Sequence, residues 1–111
     1  MTTFKSSLGI CGLSQQGAAV YLDVSLASVK DWCRGKSAPP LGVWQMMADL
    51  LRRIEAAADH TSAMIDIDEM DRRTMNGIDA DSGDDPLPSG ADSAAGAMAL
   101  LMAISDRDHE N

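Results

Sequence analysis

The chain has 111 residues, 45% of them hydrophobic and only 4% aromatic, so it can bury one aliphatic core and still leave room for an extension. The net charge of −8 is unevenly divided: residues 1–55 carry six Lys/Arg against four Asp/Glu, and residues 56–111 carry three against thirteen, which points to a nucleic-acid-facing half joined to an acidic half. Two cysteines exclude a disulfide scaffold, and no apolar run approaches the ~20 residues of a membrane span, so a cytoplasmic protein with reduced thiols is expected.

Residues 4–11 (FKSSLGIC) predict a short first helix closed by Gly12, a residue suited to the left-handed position that ends helices. Ser14 then stands as an N-cap before QQGAAVYL, where Ala18, Ala19 and Leu22 form an apolar stripe. Asp23 tolerates positive φ and allows a tight turn. Ser25 is a second N-cap, opening LASVKDWCR. In that helix Val29, Trp32 and Cys33 share a core face, Leu26, Ala27, Lys30, Asp31 and Arg34 spread over the other side, and Gly35 is the stop. Pro39 and Pro40 mark a connector, with Pro40 suited to the first position of the next helix. From Leu41 to about Asp59 the pattern is amphipathic, with Val43, Trp44, Met47, Leu50, Leu51 and Ile54 turned to the core.

Beyond Asp59 the apolar spacing is poorer. A helix over 61–76 is expected on Met64, Ile65, Ile67, Met70 and Met75. The stretch 77–92 (GIDADSGDDPLPSGAD) reads as a linker or disordered segment. Residues 93–104 (SAAGAMALLMAI) form a nearly all-apolar helix that can fold back, pair with its copy or dock in a partner's groove, self-association being preferred; the polar end is expected to fray. The chain thus divides into 4–59, an acidic and partly helical linker over 60–92, and a short apolar helix over 93–105.

Residues 13–40 (LSQQGAAVYLDVSLASVKDWCRGKSAPP) carry Leu13-Ser14-Gln15, Ala19, Leu22, Val24-Ser25, Ser28-Val29, Trp32, Gly35 and Pro39 in fixed register. In this they resemble the Xre/Cro-type helix-turn-helix family, which includes the lambda-like phage repressors. The chain has Asp23 where the family's turn usually holds glycine, and Asp31 near a position that is often basic. The resemblance implies an all-α, lambda repressor-like bundle of four to five helices, with an acidic C-terminal extension that is partly disordered or helical. It also implies double-stranded DNA binding, with Gln15 and nearby backbone amides on a phosphate and the second motif helix in the major groove. Ser25, Leu26, Ala27, Ser28, Lys30 and Asp31 would face base edges: Leu26 and Ala27 a thymine methyl, Lys30 guanine or a phosphate, Asp31 cytosine N4 unless it pairs with Lys30 or Arg34. Arg34 and Lys36 would meet phosphates.

The expected function is therefore a small transcriptional regulator, a repressor, of bacterial or phage type, acting on DNA as a homodimer. An alternative is an antitoxin-like interaction protein whose residues 60–111 bind a protein partner, and in a third arrangement the acidic tail covers the DNA-binding face. No enzyme is expected, because no acid/base or nucleophile constellation stands out. No cofactor or metal is expected either. His60 and His109 are isolated, and the calcium-loop fragment from Asp79 has glycine both at its third ligand position, Gly83, and at its twelfth, Gly90. Cys11 and Cys33 fall at apolar helix positions and read as core residues.

Overall fold

Three successive helices in the N-terminal half begin on a hydroxyl and stop on a left-handed residue. In the computed structural model, which describes residues 1–80 and 86–109, these are α1 (Thr3–Ile10), α2 (Gln15–Leu22) and α3 (Leu26–Arg34). Thr2, Ser14 and Ser25 cap them, each side chain accepting from the backbone N–H three residues on, at Lys5, Gly17 and Ser28. At the other ends Gly12, Asp23 and Gly35 take φ values of 72°, 55° and 78°. The next N–H then reaches back to an earlier carbonyl: Leu13 to Leu8 (2.9 Å), Val24 to Ala19 (3.1 Å) and Lys36 to Asp31 (2.9 Å). This is the Schellman closure, which satisfies carbonyls a helix end would leave unpaired. At the first two ends the residues it joins belong to the core, Leu8, Leu13 and Ala19 within it and Val24 packed against it.

The core forms where these helices meet α4 (Leu41–Ser62). Phe4, Val29, Leu50 and Ile54 are its largest fully buried side chains. Phe4 from α1 stands edge-on to Trp32 of α3 and to Trp44 of α4, with ring centroids 5.5 and 5.7 Å apart. Thr2 adds a tie across the same corner, its hydroxyl donating to the Cys33 carbonyl at 2.8 Å. Both cysteines are buried free thiols, as expected of core positions. Of the expected α4 stripe, Val43, Met47, Leu50 and Ile54 are buried, while Trp44 and Leu51 are half-buried at its edge. Pro40 is extended and precedes the helix as its cap, so Leu41 takes the first helical position.

The region after α4 departs from the expected helix over 61–76. Instead α4 continues to Ser62, a 3-10 turn follows at Ile67–Glu69, and α5 is a single turn, Arg72–Met75. Asp66 and Asp71 explain the break. Their side chains accept from the N–H groups of Asp68 and Thr74, offering the backbone local partners that restart the chain twice. The bond to Thr74 also holds the Asp71 carboxyl below its ordinary pKa. Asp81 to Asp85, and with them most of the calcium-loop pattern, lie outside the described residues, as do Glu110 and Asn111 at the end expected to fray.

The apolar C-terminal run forms α6 (Ala91–His109), which starts earlier and ends later than its apolar residues. It folds back along α4, and the two make the most extensive helix–helix contact in the molecule. Small residues permit this. Ala91, Ala95, Gly96 and Ala99 are buried on α6, and Ala57, Ala58 and Thr61 are buried on the second half of α4. The chain before α6 presses equally close: a Cβ on Gly96 would run into the Ile78 carbonyl, and the Ala80 N–H donates to the Asp92 carbonyl at 3.2 Å. Arg107 pairs with Asp68 at 2.7 Å and pins the far end. The fold is all-α, with no strand among the described residues, and none of their helices is long and apolar enough to cross a membrane.

Candidate nucleic-acid interface

α2 and α3 are separated by only Asp23, Val24 and Ser25. Left-handed Asp23 reverses the chain, half-buried Val24 packs on the core, and Ser25 starts the next helix. The direction of α3 is thereby set within three residues. Its inner face is fixed by burial of Val29, Trp32 and Cys33. Helical periodicity then dictates what faces away: Ala27, Lys30 and Arg34 are exposed, and Asp31 between them is half-buried. These four residues, at spacings of three and four, make one continuous stripe.

The polar groups on this stripe are ordered. Arg34 Nη2 donates to Asp31 Oδ1 at 3.2 Å, so the carboxylate is matched within the helix, one of the two pairings expected for it. Lys30 and Lys36 are exposed and have no ion-pair partner among the described residues. At the start of α3 the Ser25 hydroxyl accepts from the Ser28 N–H (3.1 Å) and donates to Ser28 Oγ (2.9 Å). That uses the Ser25 proton and leaves the Ser28 proton to donate outward.

The nine residues expected at the site do not all share one setting. Ser25, Ala27, Ser28, Lys30, Asp31, Arg34 and Lys36 lie along the start, outer stripe and end of α3, Ser28 and Asp31 half-buried. Gln15 is half-buried in the first turn of α2, where the N–H groups of Gln15 and Gln16 have no hydrogen-bond partner among the described residues. Leu26 is in the first turn of α3. It is half-buried and packs against the core, as Val24 does.

No family model, no curated protein and no solved structure matches this chain. The chemistry of the site rests on its own residues. Among the described residues no group of three His, Cys, Asp or Glu side chains is placed to hold a metal ion. What the surface of α3 and the residues just after it offer is two ammonium groups without an ion-pair partner among the described residues, a guanidinium braced by a carboxylate, an outward hydroxyl and a methyl at Ala27. These are groups that bind by charge, hydrogen bonding and shape.

Two features near this site escaped the sequence reading. Thr2, whose hydroxyl links the N-terminus to the last turn of α3, was signalled only by a threonine before the helix-forming FKSS. The contact of Gly12 with Gly90 has no local signal, since it joins residues far apart in the chain.

Proposed function

We propose that this chain is a sequence-specific double-stranded DNA-binding protein, a small transcriptional regulator of repressor type, that lays the outer stripe of α3 in the major groove. The observation that carries the reading is the stripe Ala27–Lys30–Asp31–Arg34, raised on a helix whose opposite face is locked into the core. A small residue at Ala27 lets the helix approach base edges, and Lys30, Arg34 and Lys36 supply cations for bases or phosphates. The +2 balance of residues 1–55 favours attraction to DNA by this half of a chain that is acidic as a whole. The protein acts by occupying its site, with no bond made or broken.

Selection from a random duplex pool by the full-length protein tests this. An enriched sequence whose binding weakens steeply with salt is the expected result. Absence of any enriched sequence, together with salt-independent retention, overturns it.

A second reading, an interaction protein that takes a protein partner through its C-terminal half, has one observation in its favour. A groove of about 580 Å³ runs between the end of α1 and α6, and Ile10 and Leu101 on it are 61% and 67% exposed. Sedimentation of the purified chain, alone and after co-purification, separates self-association from capture of a foreign partner.

A further inference from the structure

The turn that launches α2 and the turn that launches α6 meet backbone to backbone. Gly12 and Gly90 both have positive φ, 72° and 93°. A Cβ on Gly12 would collide with the Gly90 carbonyl oxygen and come within 3.0 Å of the Ala94 methyl. A Cβ on Gly90 would collide in turn with the Gly12 carbonyl oxygen. Each glycine is needed twice, for its φ and for the space its neighbour occupies.

Both sides of this contact are held firmly. On the α6 side the Gly90 N–H donates to Asp92 Oδ1 at 3.2 Å, the Ala91 N–H donates to the Pro88 carbonyl at 2.9 Å, and Ala91 is fully buried. On the α2 side Gly12 is followed at once by buried Leu13 and by the cap Ser14. The N–H groups of Gln15 and Gln16, without a hydrogen-bond partner among the described residues, come directly after. A helix start of this kind holds a phosphate only when its amides are aimed at it.

We propose that Gly12 and Gly90 form a positioning joint through which α6 sets the aim of the first turn of α2 on a DNA phosphate. The acidic C-terminal half then promotes DNA binding instead of shielding the DNA-binding face. This rests on the DNA-binding reading above. The joint acts through Gln15 and Gln16, and neither glycine touches DNA.

The test uses full-length Gly90→Ala, with Gly42→Ala as control because a Cβ at Gly42 meets nothing within 4 Å. Without DNA, Gly90→Ala should shift the amide resonances of Gln15, Gln16 and Gly17, and Gly42→Ala should leave them in place. With the selected duplex, Gly90→Ala should bind roughly ten-fold more weakly, the loss expected for one hydrogen bond to a charged group. The salt dependence should stay that of the wild type, because Lys30, Arg34 and Lys36 are untouched; a general loosening of the fold would lower it as well. Asp92→Ala frees the Gly90 turn without adding a Cβ at the joint, so it covers the case in which Gly90→Ala does not fold, and it should give the same changes at smaller size. Unmoved α2 amides, or wild-type DNA affinity in the folded variants, overturn the joint. A wild-type protein that selects no DNA overturns the functional reading instead, and the amide shifts measured without DNA tell the two failures apart.

Discussion

The Phe4 ring meets the Trp32 indole edge-on, with centroids 5.5 Å apart and planes at 82°. Trp44 meets the same ring in the same manner, at 5.7 Å and 83°. Three of the four aromatic residues in the chain are thus spent on one cluster, and it joins α1, α3 and α4. In a core otherwise built from aliphatic and small side chains, this cluster is what braces the buried face of α3. Phe4→Ala should therefore cost about 3–5 kcal/mol, the usual loss for a buried aromatic truncated in place. Urea unfolding followed by tryptophan fluorescence reads it directly, because Trp32 and Trp44 are the only tryptophans and both touch Phe4. A loss below about 1 kcal/mol would mean the corner is held by other contacts.

Asp23 is the only non-glycine residue with positive φ among the described residues, at φ 55° and ψ 50°. Its neighbours in the pattern, Gly12 and Gly35, carry no Cβ in the same role. Asp23→Gly should raise stability by about 0.5–1 kcal/mol, and Asp23→Ala should lower it by about 1 kcal/mol, because alanine lacks the polar side chain that eases this conformation. Thermal unfolding of the two variants should bracket the wild type. Equal melting temperatures for both would show that the turn carries no conformational cost.

Much of the N-terminal architecture was legible because it is local. Ser14, Ser25, Gly12, Asp23 and Gly35 act on neighbours within five residues, and each stands where the caps and closures are found. The outer stripe of α3 followed from the same logic, once Val29, Trp32 and Cys33 were assigned inward. Periodicity says which way a helical residue points, but not how far the core covers Leu26 at the start of α3, which is half-buried. Folding back was one of three courses open to the α6 run, and its seat was not legible. Its run of alanine and methionine has almost no polar face to orient it, and its seat depends on Gly12, Ile78 and α4, which are distant in sequence. Asp66 and Asp71 hid a third difference, since aspartate reads equally as a polar helix position and as a cap that breaks the helix.

Cys11 closes α1 with its thiol buried, and burial pushes that thiol above its ordinary pKa of 9.0. The sign of the linkage follows. The unfolded chain ionises this group first, so the contribution is intact below about pH 9.0 and is lost as pH rises through the higher value of the folded state. The urea midpoint of the wild type should therefore fall more steeply as pH rises above about 9.0 than that of Cys11→Ala, whatever the two share at neutral pH. Parallel curves for the two proteins would remove Cys11 from the alkaline response.

Lys30 and Asp31 make opposite predictions on one surface. Lys30 is exposed without an ion-pair partner among the described residues, and Asp31 is bound to Arg34 at 3.2 Å. Exposed pairs of this kind contribute about 0.3–0.5 kcal/mol, so neither Lys30→Ala nor Asp31→Asn should shift the melting temperature by more than a few degrees. Their effects on DNA should diverge. Lys30→Ala removes a cation from the stripe, so affinity should drop at low salt and the slope of log affinity against log salt should become shallower by about one. Asp31→Asn removes the only carboxylate on α3 and releases Arg34, so affinity for unselected duplex should rise about two- to five-fold with the slope kept or steepened. If Asp31 reads a base, the same variant should lose discrimination among selected sites while gaining on random DNA. Equal affinity of wild type, Lys30→Ala and Asp31→Asn across a salt series would show that DNA does not lie on this face of α3.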